Sequence, residues 1–290
     1  MLVIVGANGR TGVEIVKEAL ARGMEVRPVC RNDQDSSDLE GIVPVEQIHH
    51  ADPDAPESLG AAMVDARHVV VAIDPRVAGP GAPLYRDLAS GACMTAAFEA
   101  GAEAALYLSV AGGYRWSKSP LNRRAFHLDR SVTRSRVRWS MMRFASFHDE
   151  VVDGHVSPPD GRRPHPLPTA SRYSPLSRRD AAGIVLDTLP HLTAGRTIYV
   201  GGPQMLYSHE LEAIIAPYRV QVSGPRTRHF PLPQGDLSVL PDATRVAVGS
   251  VPPTTLAMML QPPAPAFATP LPVPQRSAPG PTPRTGRMER

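Results

Sequence analysis

The chain has 290 residues, 42% of them apolar, which is enough for one large α/β domain or for a domain with a small lobe. Its 31 basic and 28 acidic residues leave a net charge of +3, too even a balance for a dedicated nucleic-acid binder. No apolar run approaches the roughly 18 residues that a membrane span needs, and a chain that opens directly on a strand pattern is expected to carry no signal peptide.

The first strand is Leu2 to Val5, and the turn Gly6-Ala7-Asn8-Gly9-Arg10-Thr11-Gly12 follows at once. An amphipathic helix is predicted over 10–22. Strand, glycine turn and helix in this order form the phosphate grip of a dinucleotide-binding domain. Gly6 permits the tight turn, Gly9 leaves room for a pyrophosphate against the backbone, and Gly12 lets the helix pack closely on the strand. Asn8, Arg10 and Thr11 complete the predicted cofactor loop.

Further along, 25–30 reads as a second strand and 43–49 as a third, followed by a helix over 56–64. The β-branched run 68–73 suits a strand buried on both faces. An alanine-rich helix is predicted over 83–100, a fifth strand over 105–109, a helix over 120–135 and a sixth strand over 138–144. Strands alternating with helices imply a doubly wound parallel sheet of Rossmann type over 1–150. After Phe144 the pattern weakens, and 155–168, rich in proline, glycine and charge, reads as a loop. Ser177 caps a helix running to about Leu189, a short strand covers 197–200, and Ser208 starts a further helix. The segment 151–250 is expected to form a small α/β lobe, integrated with the same fold, that closes over the cofactor edge. From 251 to 290 proline dominates, so a disordered tail is expected there, with Pro-x-x-Pro steps that offer a docking point to a protein partner.

Cys30 and Cys93 are the only cysteines and do not form a paired motif, which fits a reduced, cytoplasmic protein. No spacing suits a metal, since His49 and His50 are adjacent rather than on one face. Hydrolase elbows and kinase-type phosphate loops are likewise missing from the sequence.

Four segments together resemble the atypical short-chain dehydrogenase/reductases, specifically the NmrA-like, NAD(P)H-binding group. These are Val3 to Gly12, Val26-Arg27-Pro28-Val29-Cys30-Arg31-Asn32, Arg138-Trp139-Ser140-Met141-Met142-Arg143-Phe144, and Tyr173-Ser174-Pro175-Leu176-Ser177-Arg178-Arg179-Asp180-Ala181-Ala182. Gly201-Gly202-Pro203 before the final helix also fits, whereas Phe144 stands where the family usually has proline. The resemblance covers about residues 1–216. It implies that Asp52 binds the adenine amine, although a turn role before Pro53 fits equally, and that Ala72 and Ile73 line the path from adenosine to nicotinamide.

Strand two ends in Arg31 rather than in the acid that grips an NAD ribose, so NADPH is expected over NADH. Arg10 is placed to stack on the adenine or share the 2′-phosphate. The nearby Asp33, Asp35 and Asp38 weaken this electrostatic preference, and a solvated loop role for Arg31 stays open.

The catalytic candidates are Ser109 at the end of strand five, Tyr114, and His148 after strand six. Tyr114 and Lys118 have the four-residue spacing of a proton-transfer dyad, but Ser119-Pro120 signals a helix that starts after both. Asp129 resembles the family's helix acid, and His127 reads as a solvent-facing helix histidine. Two readings follow. One is an NADP(H)-dependent oxidoreductase that passes hydride to a small planar acceptor: a quinone, flavin, enone or carbonyl. The other is an NADP(H)-binding regulator or scaffold without turnover.

Overall fold

A computed structural model describes residues 1–31, 36–52, 55–73, 85–113, 115, 120–159, 161, 163–167 and 171–219. In chain order the described elements are β1 (Leu2–Val5), α1 (Arg10–Ala21), β2 (Val26–Cys30), β3 (His49–His50), α2 (Pro56–Ala62), β4 (His68–Val71), α3 (Tyr85–Glu99) and β5 (Ala104–Val110). There follow α4 (Pro120–Thr133), β6 (Trp139–Phe144), α5 (His148–His155), β7 (Arg172–Tyr173), α6 (Arg178–Thr188), β8 (Arg196–Val200), β9 (Leu206–Tyr207) and α7 (Ser208–Ile215).

Seven strands form one sheet in the order β3-β2-β1-β4-β5-β6-β8, and every pair in it is parallel. The order runs one way from β1 to β3 and the other way from β4 to β8. This reversal opens a crevice beyond the carboxyl ends of β1 and β4, where open α/β sheets bind ligands. The expected doubly wound Rossmann-type architecture is therefore present. Its eighth strand shows how the later segment joins the fold, because β8 extends the main sheet beside β6. A separate antiparallel pair, β7 with β9, anchors α7.

The strands read as apolar runs because both their faces are covered. Leu2 and Ile4 sit in one core with α1 and α6, while Val3 and Val5 sit in the other with α2, α3 and α4. Leu106 and Leu108 against Ala105 and Tyr107 repeat the division in β5.

Three expectations need correction. The third strand is not 43–49 but only His49–His50. Pro44 opens a 3₁₀ turn over Val45–Gln47, closed by a bond from the Gln47 amide to the Pro44 carbonyl at 2.9 Å, which takes those residues out of the ladder. Helix α5 occupies a stretch whose start the sequence left unassigned and whose last residue fell in the expected loop. The two-residue strands β7 and β9 were not foreseen either. The Pro-rich segment 251–290 and Tyr114 lie outside the described residues. Among the described residues no helix is long and apolar enough to cross a membrane.

Candidate functional site

The glycine turn follows from three separate steric demands. Gly6 has φ +78°, a left-handed conformation that disfavours any side chain, and a Cβ there would sit 2.8 Å from the Ala72 carbonyl oxygen. A Cβ on Gly12 would overlap the Gly6 carbonyl and stand 2.8 Å from both Cα and O of Ala7. At Gly9 a Cβ would meet the Gly6 carbonyl at 3.3 Å and the Ala72 carbonyl at 4.0 Å. The chain therefore brings Gly6, Gly9 and Ala72 into one cradle where β1 and β4 end. Ala72 is held there by its amide, which donates to the Val5 carbonyl at 2.8 Å.

Gly9 is also the N-cap of α1, with extended backbone, no side-chain capping bond and no acid in the first turn. The first amides of a helix have no partner within it. Here no side chain of the cap covers them, and the helix dipole leaves them positive, so an anion is favoured at this end. The residues present fit the pyrophosphate of a dinucleotide.

Around this cradle stands an ionic cluster that sequence reasoning missed. Arg178, at the start of α6, keeps only 9% of its side chain exposed. Its Nε donates to Asp149 at 2.9 Å, and its Nη2 donates to Glu150 Oε1 at 3.0 Å. Its Nη1 donates to the Thr11 hydroxyl, and its guanidinium carbon lies over the Phe147 ring, 4.1 Å from the centroid. One side chain thus ties α1, α5 and α6 together. Ser177 caps α6 as expected, its hydroxyl accepting from the Asp180 amide at 3.0 Å. Arg10, expected to stack on the adenine or share the 2′-phosphate, is held by two carboxylates: its Nη1 donates to Asp149 and Asp153, each at 2.6 Å. Those two carboxylates hold the Arg10 guanidinium above its usual range, the Asp153 bond most strongly.

A second cluster lies at the carboxyl ends of β5 and β6. Ser109 Oγ donates to Asp129 Oδ1 at 2.7 Å, and Arg143 Nη2 donates to Asp129 Oδ2 at 2.5 Å. Arg143 Nη1 reaches the Tyr199 hydroxyl at 2.9 Å. Burial pushes the Asp129 carboxyl up, although Arg143 and Ser109 both pull it down. The Ser109 proton is therefore committed to Asp129, which leaves the serine oxygen an acceptor toward the crevice.

His148 opens α5 but is buried, and neither ring nitrogen makes a well-formed hydrogen bond among the described residues. Burial is the strongest influence and lowers its pKa, against the Pro175 backbone and the carboxylates of Asp180 and Asp149. Burial thus favours the neutral ring. His155, also buried, is lowered for the same reason. Such groups contribute full stability above the ordinary histidine value, and that stability is lost as pH falls through the lowered folded value. The melting temperature is therefore expected to fall between pH 8 and pH 5. His148→Leu, which removes a buried polar ring without a well-formed hydrogen bond, should flatten that fall at little cost at pH 8. A slope unchanged by the substitution would exclude His148 as its source.

Arg31 is half-buried at the end of β2, and Asn8 and Ile73 are half-buried near the turn. Asp52 follows β3, where its amide donates to Ser58 Oγ at 3.1 Å and its carbonyl accepts from the Ala55 amide at 2.9 Å. These bonds build the turn into α2. Tyr114 and Lys118 lie outside the described residues, and α4 begins at Pro120. Both cysteines are free and buried, and burial pushes the Cys93 thiol up to about 12. No group of metal-ligating side chains occurs among the described residues.

A model of NAD(P)H-binding proteins matches residues 6–191. No curated protein matches the chain. Among solved structures, the chain is similar to UDP-glucose 4-epimerase from Thermus thermophilus, in complex with NAD, with 16% identity and a TM-score of 0.57 over 79% of this chain and 88% of that one. It is similar to an NADPH-dependent quinone oxidoreductase from Escherichia coli, complexed with NADPH, with 13% identity and a TM-score of 0.58 over 78% of each chain. A nucleoside-diphosphate-sugar epimerase from Staphylococcus aureus has 19% identity and a TM-score of 0.58 over 74% of this chain and 76% of that one. These likenesses establish a shared fold. With the family model spanning most of the chain, the chain belongs to the NAD(P)H-binding family.

Proposed function

We propose that the chain is an NADP(H)-dependent oxidoreductase of the NmrA-like type that passes hydride to a small planar acceptor, a quinone or flavin before an enone or carbonyl. The observation that carries this reading is the uncapped, side-chain-free helix start at Gly9, followed across the sheet by Arg31 where an NAD-selective site would place an acid. A guanidinium there favours the 2′-phosphate through charge-assisted bonds. The nicotinamide supplies a hydride when bound. Ser109, its proton held by Asp129, orients a donor such as a carboxamide N–H rather than protonating a carbonyl. His148 is buried, which favours its neutral ring, so an acceptor needing little acid assistance suits this site best. Two unpaired buried thiols suit a reducing compartment such as the cytoplasm.

The commitment of the Ser109 proton to Asp129 and the burial of His148 also favour a second reading, binding without turnover by a regulator or scaffold. The deciding experiment is a titration with NADPH and NADH in parallel, repeated with Arg31→Ala, followed by NADPH oxidation with a quinone panel. Arg31→Ala is expected to weaken NADPH by about tenfold and leave NADH nearly unchanged. Equal weakening of both nucleotides would remove the NADP preference. Binding with no oxidation by any acceptor would move the conclusion to the second reading.

A further inference from the structure

The ion pairs of Arg10 have a consequence for cofactor affinity. Arg10 is the first residue of α1, beside the cradle, and its guanidinium is 59% exposed at the side chain. It is held by Asp149 and Asp153, which project from α5. The two acids are not equivalent. Asp149 also receives Arg178, which is buried and joins three helices, so Asp149 is part of the framework. Asp153 pairs with Arg10 from the last half of α5 and takes no part in the Arg178 network. Around the helix start stand Arg10 and Arg178 against Asp149, Glu150 and Asp153, an excess of negative charge where a pyrophosphate must arrive.

We propose that Asp153 is a negative determinant of dinucleotide affinity: it competes with the incoming pyrophosphate for the Arg10 guanidinium, so that cofactor binding transfers Arg10 from α5 to the phosphates. The inference rests on the NAD(P)H-binding reading of the cradle. Thr11 is already set for this exchange. Its oxygen accepts from Arg178, which leaves its own O–H to donate to an anion. Transfer of Arg10 also releases the α5 end of the pair, so cofactor occupancy is communicated to the segment that follows β6.

A simple loss of negative charge at position 153 would also help an anion, so single variants are not enough. The test is a double-mutant cycle, with NADPH binding measured by fluorescence for the wild type, Asp153→Asn, Arg10→Ala and the double variant. The exchange predicts that Asp153→Asn tightens NADPH about three- to tenfold, and that most of this gain vanishes in the Arg10→Ala background. The gain should also shrink at high salt, because both pairs are partly exposed. The same factor in both backgrounds would reduce Asp153 to a remote charge and overturn the exchange. Unchanged or weaker binding by a normally melting Asp153→Asn protein would overturn it as well. Failure of the wild type to bind NADPH or NADH would instead sink the cofactor reading of the cradle itself.

Discussion

Gly12→Ala should abolish NADPH binding and lower stability by about 3 kcal/mol, the upper part of the usual range for forcing atoms into a packed site. The added methyl has nowhere to go. Its neighbours are the Gly6 carbonyl and the Ala7 backbone, all main-chain atoms of the turn, so no side chain can swing aside. Relief requires α1 to lift away from β1, which moves the amides that face the anion. Gly60 is the internal control. It lies within α2, and a Cβ there meets nothing within 4 Å. Gly60→Ala is expected to stabilise by about 0.5–1 kcal/mol through helix propensity alone. Chemical denaturation with NADPH titration on both variants checks the pair. A Gly12→Ala protein that binds normally would show that the close approach of helix and turn is dispensable.

The contrast between those two glycines shows what was legible in the sequence. Gly12 declared itself through its place behind an apolar strand, because strand, turn and helix are adjacent in the chain and their contacts are local. The central strands were legible for a similar reason: both faces of β1, β4 and β5 are covered, so their apolar runs are continuous. Helix α5 was not. Its buried positions are His148, Val151 and His155, so two of its three core-facing residues are histidines and the periodic apolar signal is broken. Strands β7 and β9 have two residues each, too few for any alternation to show. The ionic clusters were hidden more deeply. Arg178 lies in a segment quoted for its family resemblance, yet its partners Thr11, Asp149 and Glu150 come from two other helices. The one available signal was the run Asp149-Glu150 facing a basic pair, Arg178-Arg179, across a turn-rich stretch. Charge order along a chain does not say which cation is buried.

The Arg143 pair provides the second large effect, and its sign depends on pH. Arg143→Ala should destabilise the protein by about 3–5 kcal/mol near pH 8, because it strands the carboxylate of Asp129 in a site that keeps only 4% of that side chain exposed. Asp129 already titrates above the usual carboxylate range, since burial outweighs the pull of Arg143 and Ser109. Removing Arg143 takes away the larger of those two favourable influences, so the folded pKa climbs further. A group with a raised folded pKa contributes stability that is full below its unfolded value and is lost as pH rises through the folded value. The variant is therefore expected to recover part of its deficit at pH 5, where Asp129 takes up a proton and keeps its bond to Ser109. The wild type should show the opposite balance, because the lowered His148 and His155 make it weaker in acid. Asp129→Asn in the Arg143→Ala background removes the charge while keeping a hydrogen-bonding group beside Ser109, and should restore most of the loss at pH 8. Denaturation midpoints at pH 5 and pH 8 for the wild type and the two variants decide the matter. A deficit that does not change with pH, and that Asp129→Asn does not repair, would mean that Arg143 acts through its packing on Tyr199 and not through the charge of Asp129.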